Sequence, residues 1–290
     1  MNTEKTKKPL SKRGKIILIA LAVIMLLMLA EVIRSNSIVE VESFEYKSPD
    51  IPESFDGVKI VSVTDYHNHG GSYEDKLIEK IKEQQPDYIF LVGDLVDSRR
   101  TDIEQTGSFF KKCAAIAPCY LCLGNHEVSV FAKGGRDEYM KYADEAGITV
   151  LENCAVTLER GSGSLTLLGT SNALESTVLD SVLVNRDTSA PLLWIHHYPE
   201  DFEEESEAAA SLGYSNTLMF CGHAHGGLIR IPFTGQGLYA PGQGLFPKYT
   251  GGEYQSGSGK MLLSRGCGNS GYSLSLFDPF EIVVCTLRSK

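Results

Sequence analysis

All seven histidines of this 290-residue chain fall within four short segments, residues 65–69, 124–127, 196–197 and 222–225. Core or surface histidines ordinarily scatter, so the clustering asks for a common cause. A metal site supplies one, because neutral imidazole is the commonest metal ligand. Carboxylates and an amide accompany them in five runs: Asp65-Tyr66-His67, Gly93-Asp94-Leu95-Val96-Asp97, Gly124-Asn125-His126-Glu127, His197-Tyr198-Pro199 and Gly222-His223-Ala224-His225. Each run alone says little, since Gly-Asp marks a turn as readily as a ligand and a lone histidine is more often structural. Together they offer imidazole, carboxylate and amide donors without thiolate, a set that suits Mn, Fe or Zn better than Ca or Cu(I).

The elements needed to position them are legible just upstream. Apolar runs at 59–64, 88–92, 119–123, 192–195 and 218–221 read as strands, and each ends at, or one residue short of, the start of one of the five runs. In open α/β sheets ligands gather outside the carboxyl ends of strands, so loops far apart in sequence can converge there. Further strands are expected at 38–47 (an edge strand), 149–151, 155–159, 164–169, 228–231, 261–264 and 282–287. Helices are expected at 73–85 with Ser72 as N-cap, at 103–116, at 136–146 ending on Gly147, and at 201–211. A polar connection is expected up to Pro191. The alternation predicts one α/β body with a mixed or parallel sheet and helices on its faces. The acidic run Glu203–Glu207 reads as a solvated helix face. Between Pro232 and Gly259 lie 28 residues with eight glycines, and loops that long are usually functional or mobile.

Composition narrows the class. A chain with 42% hydrophobic and 22% charged residues can bury a sizeable core, which excludes disorder and a small disulfide scaffold. The formal charge of -10 is uneven: Lys5, Lys7, Lys8, Lys12, Arg13 and Lys15 against Glu4 give residues 1–30 a net +5, which leaves -15 for the remainder. An acidic body repels phosphate backbones, so no nucleic-acid partner is expected, and an anionic substrate needs bound metal or a local basic cluster. The basic tail, residues 1–15, precedes an apolar segment, residues 16–33, that reads as a transmembrane signal anchor or a cleaved signal. Met28 at the −3 position of a cut after Ala30 favours the anchor. Positive-inside bias then leaves the N-terminus cytoplasmic and the body, residues 38–290, outside, on a single-pass protein of the cell membrane. Seven cysteines, an odd number, do not suggest a disulfide framework. Cys119 and Cys122 sit three apart on an expected strand, hence on opposite faces, and read as core.

The five runs in this order resemble the calcineurin-like metallophosphoesterase family, whose pattern is D-x-H, GDxxD, GNH[DE], an isolated His and GHxH, over about residues 58–228. The chain's later part is similar to a membrane-anchored bacterial branch. The resemblance implies a sandwich of two mixed β-sheets flanked by helices, behind the N-terminal transmembrane helix. It implies two divalent metal ions (Mn, Fe or Zn): Asp65, His67 and His225 hold one, Asn125, His197 and His223 the other, and Asp94 bridges them. A metal-bridging hydroxide attacks phosphorus in line while His126 assists the leaving-group oxygen. Asp97 either orients His126 or caps a helix. His197 rather than His196 fits the family's H-x-P form, which makes His196 structural. His69 either contacts substrate or is simply exposed, and Tyr66 is expected to wall the site. Where the branch has an Arg, this chain has Ser275, which removes one expected headgroup contact. The loop 238–249 either lies against the bilayer or packs as a cover over the sheet edge.

The activity so implied is phosphoester hydrolysis, in particular phosphodiester hydrolysis, on a phospholipid or a lipid-linked phosphodiester or pyrophosphate. The rival is a membrane-anchored module that binds metal and phosphorylated ligands without turnover. A metallo-β-lactamase-type hydrolase is excluded, because its H-x-H-x-D-H run fails where His67-Asn68-His69 is followed by Gly70-Gly71-Ser72.

Overall fold

A computed structural model describes residues 11–171, 176–270 and 274–290. Lys5, Lys7 and Lys8 of the basic tail lie outside the described residues. An apolar helix, α1 (Lys12–Ser35), is long enough to cross a membrane and none of its apolar window is buried. Strands β1 (Val39–Lys47) and β2 (Lys59–Val63) follow, then α2 (Ser72–Glu83), β3 (Tyr88–Val92), α3 (Ile103–Ala114) and β4 (Cys119–Cys122). Next come α4 (Asn125–Phe131), α5 (Arg136–Glu145), β5 (Thr149–Val150), β6 (Cys154–Arg160), β7 (Gly163–Thr170) and α6 (Ser176–Leu183). The chain continues through β8 (Leu192–His196), α7 (Phe202–Ser211), β9 (Thr217–Cys221), β10 (Tyr239–Ala240), β11 (Gly244–Leu245), β12 (Gly252–Ser256), β13 (Gly259–Leu263) and β14 (Phe280–Arg288).

The strands form two six-stranded mixed sheets, β1-β14-β2-β3-β4-β5 and β12-β13-β9-β8-β7-β6, plus the short pair β10-β11. Alternation along each central strand explains the layering. On β2 and β3, Val61, Ile89 and Leu91 pack with Leu77 and Ile81 of α2 and Phe109 of α3. Their neighbours Ile60 and Phe90 point the other way and meet Leu193, Ile195 and Phe220 of the second sheet. Trp194 and Met219 face outward again, against Phe202 and Ala209 of α7. Strands buried on both faces in this way read as continuous apolar runs. Cys119 and Cys122 obey the same rule and belong to different core layers.

Several expectations change. One sheet becomes two, as the family resemblance implied. Residues 228–231 form no strand: a tight turn at His225–Gly227 and Pro232 confine them to isolated bridges, Ile229 to Leu276 and Arg230 to Gly237. The connection before Pro191 contains α6, and the glycine-rich stretch contains β10, β11 and β12. Ser72 opens α2 rather than capping it, the cap being Gly71. The acidic run is not uniformly solvated: Glu205 is buried and its carboxyl is pushed up to about 7 by that burial.

Candidate metal centre

The loops leaving β2, β3, β4, β8 and β9 meet at one place between the two sheets. Asp65, His67 and His225 bring ligand atoms within 4.8 Å of one another, as do Asp94, His197 and His223, and all six are buried. His225 Nε2 lies 3.4 Å and His67 Nε2 3.7 Å from Asp65 Oδ1. His197 Nε2 lies 3.2 Å from Asp94 Oδ2, which His67 Nε2 also approaches at 3.9 Å, so Asp94 sits between the two groups. Asn125, the first residue of α4, lines a cavity of roughly 270 Å³ together with Asp94, His223 and His225. Asp65 Oδ1, His67 Nδ1 and Nε2, Asn125 Oδ1, His197 Nε2 and His225 Nδ1 are buried without a hydrogen-bond partner. Buried polar atoms are nearly always satisfied. So many unpartnered atoms on ligand-type side chains that lie close together fit cations as the missing partners.

The electrostatics agree. Burial alone would raise the Asp65 carboxyl, yet the facing His225, His67 and His197 imidazoles hold it well below the usual carboxylate range. Asp94 is held down in the same way, against its burial, chiefly by His197. In turn Asp94 and Asp65 overcome the effect of burial on His197 and push its imidazole up to about 10. His223 goes the other way, lowered to about 3 by burial and by the neighbouring His197, and is a neutral donor. His197 Nδ1 is tied to the Val92 carbonyl at 2.9 Å, which aims Nε2 at the site.

The loops are held in conformations that side chains rarely adopt. Asp65, His67, Asn68, Asp94, His223 and His225 all have positive φ, between 46° and 67°. Such strain persists only where surroundings over-determine it. Two contacts do so. A Cβ on Gly124 would meet Asp94 Oδ1, and one on Gly222 would meet Thr64 Oγ1 and Asp65 Oδ2, so both glycines are required by close approach. Glu127, fully buried, accepts backbone N–H bonds from Asp94 (2.8 Å), Gly124 (2.9 Å), Leu95 (2.7 Å) and Val96 (3.1 Å), stitching the β3 and β4 loops together.

His126 stands at the cavity wall, its ring 4.5 Å from that of His67. The Ser98 N–H donates to His126 Nδ1 at 2.9 Å, which leaves the neutral ring's proton on Nε2. Burial would lower this imidazole, but Asp97, with Oδ1 3.4 Å from Nδ1, and Asp94 hold it above its ordinary value. Asp97 is not a helix cap. That role belongs to Asp102, which caps α3, while Asp97 accepts from the Arg99 N–H, Ser270 Oγ and Arg100 Nε.

Two other residues resolve differently from expectation, and a third follows it. His69 neither touches the cavity lining nor lies free: it stacks on Tyr73 at 4.0 Å, and burial lowers its imidazole to about 4. Tyr66 turns away from the site, stacks on Phe109 at 4.1 Å and hydrogen-bonds Glu74. His196, as expected, points away from the metal groups, to Thr170 Oγ1 (2.7 Å) and Asp201 Oδ2 (3.1 Å). Two participants escaped the sequence reading. Glu127 stood in plain view as the last residue of Gly124-Asn125-His126-Glu127; Arg99, exposed at the cavity rim, carried no local signal beyond following Asp97 by two.

The model of the calcineurin-like phosphoesterase family matches residues 58–227, more than half of the chain. The metallophosphoesterase YkuE of Bacillus subtilis is 29% identical over 275 residues, covering 87% of this chain and 86% of that protein. The metallophosphoesterase Cj0846 of Campylobacter jejuni is 30% identical over 87% of this chain and 64% of its own length. The phosphodiesterase YaeI of Escherichia coli is 29% identical over 64% of this chain and 65% of its own length. The chain thus spans slightly under two thirds of the latter two. The matched region opens one residue before β2 and closes within the turn that carries His225, so it encloses all five loops that meet at the cavity, and the chain belongs to the calcineurin-like phosphoesterases, a family of metal-dependent phosphoester hydrolases.

Proposed function

We propose that the chain is a membrane-anchored dinuclear phosphodiesterase whose two ions are held by Asp65, His67 and His225 on one side and by Asn125, His197 and His223 on the other, with Asp94 shared. The observation that carries this reading is the set of buried ligand atoms without a hydrogen-bond partner, on four separate loops, beside a cavity that Asn125, His223 and His225 line. Donors of nitrogen and oxygen without thiolate favour Mn, Fe or Zn. When bound, a pair of such ions polarises a phosphoryl oxygen and lowers the pKa of water, which supplies a nucleophile at neutral pH. The residues do the rest. Asp94 and Asp65 place negative charge where two cations would otherwise repel, and Glu127 fixes the backbone that carries Asp94. His126, with its proton on Nε2, donates to the leaving-group oxygen. Asp97 organises the 97–100 turn that places the Ser98 N–H against His126. Arg99 at the rim takes an anionic group beyond the scissile phosphorus.

The cavity has an ionic rim at Arg99 and an apolar wall of Leu228, Tyr239 and Pro241, which suits a phosphorus substituted on two sides. The phosphodiesterase name carried by the Escherichia coli relative points the same way. With α1 as anchor, residues 1–15 remain cytoplasmic, the catalytic body lies outside, and a phospholipid or lipid-linked phosphodiester or pyrophosphate is the substrate class. The test is Mn-, Zn- or Fe-loaded full-length protein in detergent on aryl phosphodiesters and monoesters. Asp94→Ala should bind fewer than two metals per chain and lose turnover, whereas His126→Ala should keep both metals and lose turnover of esters with poor leaving groups most. Wild-type protein that binds two metals and turns over no ester would refute the hydrolase reading and favour a binding module.

A further inference from the structure

Outside α1, ten large hydrophobic side chains are exposed among the described residues, and seven of them belong to residues 229–246 or to Leu274. They do not lie on scattered loops. Leu276 pairs with the 228–230 segment (Leu276 N–H to Leu228 O, 2.9 Å; Arg230 N–H to Leu276 O, 3.0 Å), Leu238 N–H donates to Ile229 O at 2.8 Å, and Phe246 N–H donates to Leu238 O at 2.9 Å. Backbone pairing therefore joins residues 274–276, 228–231, 236–239 and 245–246 into one ledge. On it Phe233 is completely exposed, Leu245, Phe246 and Leu274 are each more than 60% exposed, and Tyr239 is 46% exposed.

One end of the ledge is fastened to the foot of α1. Asn36 Nδ2 donates to Ser275 O at 2.8 Å, and Asn36 Oδ1 accepts from Ser275 N–H (3.1 Å) and Asn269 Nδ2 (2.8 Å). Ser35 Oγ accepts from Asp278 N–H at 3.2 Å. The ledge also supplies the apolar wall of the metal cavity, through Leu228 and Tyr239, and the residues beside the fastening, Asn269 and Ser270, line it too. The Ser275 that replaces an expected arginine is thus the docking point of the helix.

We propose that this ledge lies in the headgroup and upper acyl region of the bilayer that α1 crosses, so that the cavity opens at the membrane surface and takes a phosphodiester still seated in lipid. The inference deepens the anchored phosphodiesterase reading and rests on it. Its occupant is the phospholipid surface: the ledge is continuous with a helix none of whose apolar window is buried, and apolar patches of this kind mark interaction surfaces. Aromatic side chains with a polar tip, such as Tyr239, favour the interface.

The experiment places single tryptophans in the full-length protein in proteoliposomes, at Phe246→Trp and Leu245→Trp on the ledge and at Val184→Trp, an exposed site off it. The native Trp194 is fully buried and gives a constant background. Brominated phosphatidylcholine should quench the ledge tryptophans and leave the Val184→Trp signal unchanged, while acrylamide should do the reverse. Ledge tryptophans that acrylamide quenches as it does Val184→Trp would overturn the proposal. So would ledge tryptophans shielded from both quenchers, the outcome for a ledge covered by a second copy. As a second arm, the double substitution Leu245→Ser and Phe246→Ser should lower turnover of a vesicle-embedded phosphodiester roughly tenfold. Turnover of a soluble aryl diester should stay unchanged, since neither residue lines the cavity. Equal loss on both substrates would also overturn it. Quenching reports position without turnover, so a failed ledge and a failed hydrolase reading give separate signals.

Discussion

Glu127→Gln is the most informative single change near the metal centre, because it removes charge and one acceptor while keeping shape. Oε2 of Glu127 accepts from the Asp94 and Gly124 amides, and Oε1 accepts from Leu95, Val96 and the Tyr139 hydroxyl, the last at 3.3 Å. A glutamine carbonyl can replace one of these oxygens. Its amide nitrogen must then face two N–H donors, which lose their partner in a site without water access. Each buried donor left unsatisfied costs ~1–3 kcal/mol. Part of that is returned, since burial and the nearby Asp94 both raise the Glu127 carboxyl, and neutralising it relieves their repulsion. A net loss of about 2–4 kcal/mol follows, which for a domain of this size lowers the melting midpoint by roughly 4–16 °C. The loss falls on the strained loop that presents Asp94 and on the start of α4 that presents Asn125, so bound metal should drop below two per chain. Circular dichroism melting of the full-length protein in micelles, with metal content by mass spectrometry, checks both. Tyr139→Phe, which removes only the 3.3 Å contact, should cost under about 1 kcal/mol. A Glu127→Gln protein melting within about 2 °C of the parent with both metals retained would refute the clamp.

Two further outcomes follow from charges around the site. Arg99→Ala should raise KM for diesters carrying a second anionic group by roughly 3–10-fold, a modest figure because the side chain is exposed. The change should leave kcat and neutral diesters nearly unaffected; an equal effect on neutral and anionic esters would remove Arg99 from substrate recognition. Asp278, buried beside Gly226 and 3.6 Å from Arg265, has its carboxyl pushed up to about 7 from the usual 3.8, chiefly by burial. A pKa raised by folding contributes stability that is complete below about pH 4 and is lost as pH rises through 7. Between pH 5 and 8 wild-type protein should therefore lose about 2–3 kcal/mol that Asp278→Asn does not lose. Melting curves of the two proteins at both pH values test this, and a gap that stays constant across pH would show that Asp278 does not titrate there.

Much of the fold was legible because local chemistry set it. Gly147, with φ of 73°, ends α5 as its type predicts, and the apolar runs of β2, β3, β4, β8 and β9 stand where the pattern put them. What the pattern lacks is sheet membership. Val61 and Leu167 are both buried residues of strands covered on two sides, and nothing in either run says that one joins β14 and the other β8. The parallel pairing of β1 with β14 joins the two ends of the body, a contact that periodicity over a dozen residues does not sense. Residues 228–231 mislead for the opposite reason. Leu228-Ile229-Arg230-Ile231 has strand composition, but the turn at Gly226-Gly227 and the missing donor of Pro232 leave room for single bridges only.

The candidate site divides along the same line. Histidines and carboxylates that cluster at strand ends announce themselves by type, and the structure brings Asp65, His67, Asp94, His197, His223 and His225 into two touching groups. The residues that make such a cluster possible do not. Six donors or their neighbours sit at positive φ, a conformation that costs free energy at each non-glycine position and that no side-chain pattern advertises. At Asp94 Glu127 offsets that cost with backbone bonds to residues 94–96 and 124, and Gly124 and Gly222 leave room for the carboxylates to close in. The strained Asp94 loop and its clamp are therefore one device. Removing the clamp should release the loops before it disturbs the sheets. Metal content should then fail at a lower temperature than the far-ultraviolet signal in Glu127→Gln, and simultaneous loss of both would mean that the clamp holds the whole sandwich rather than the site.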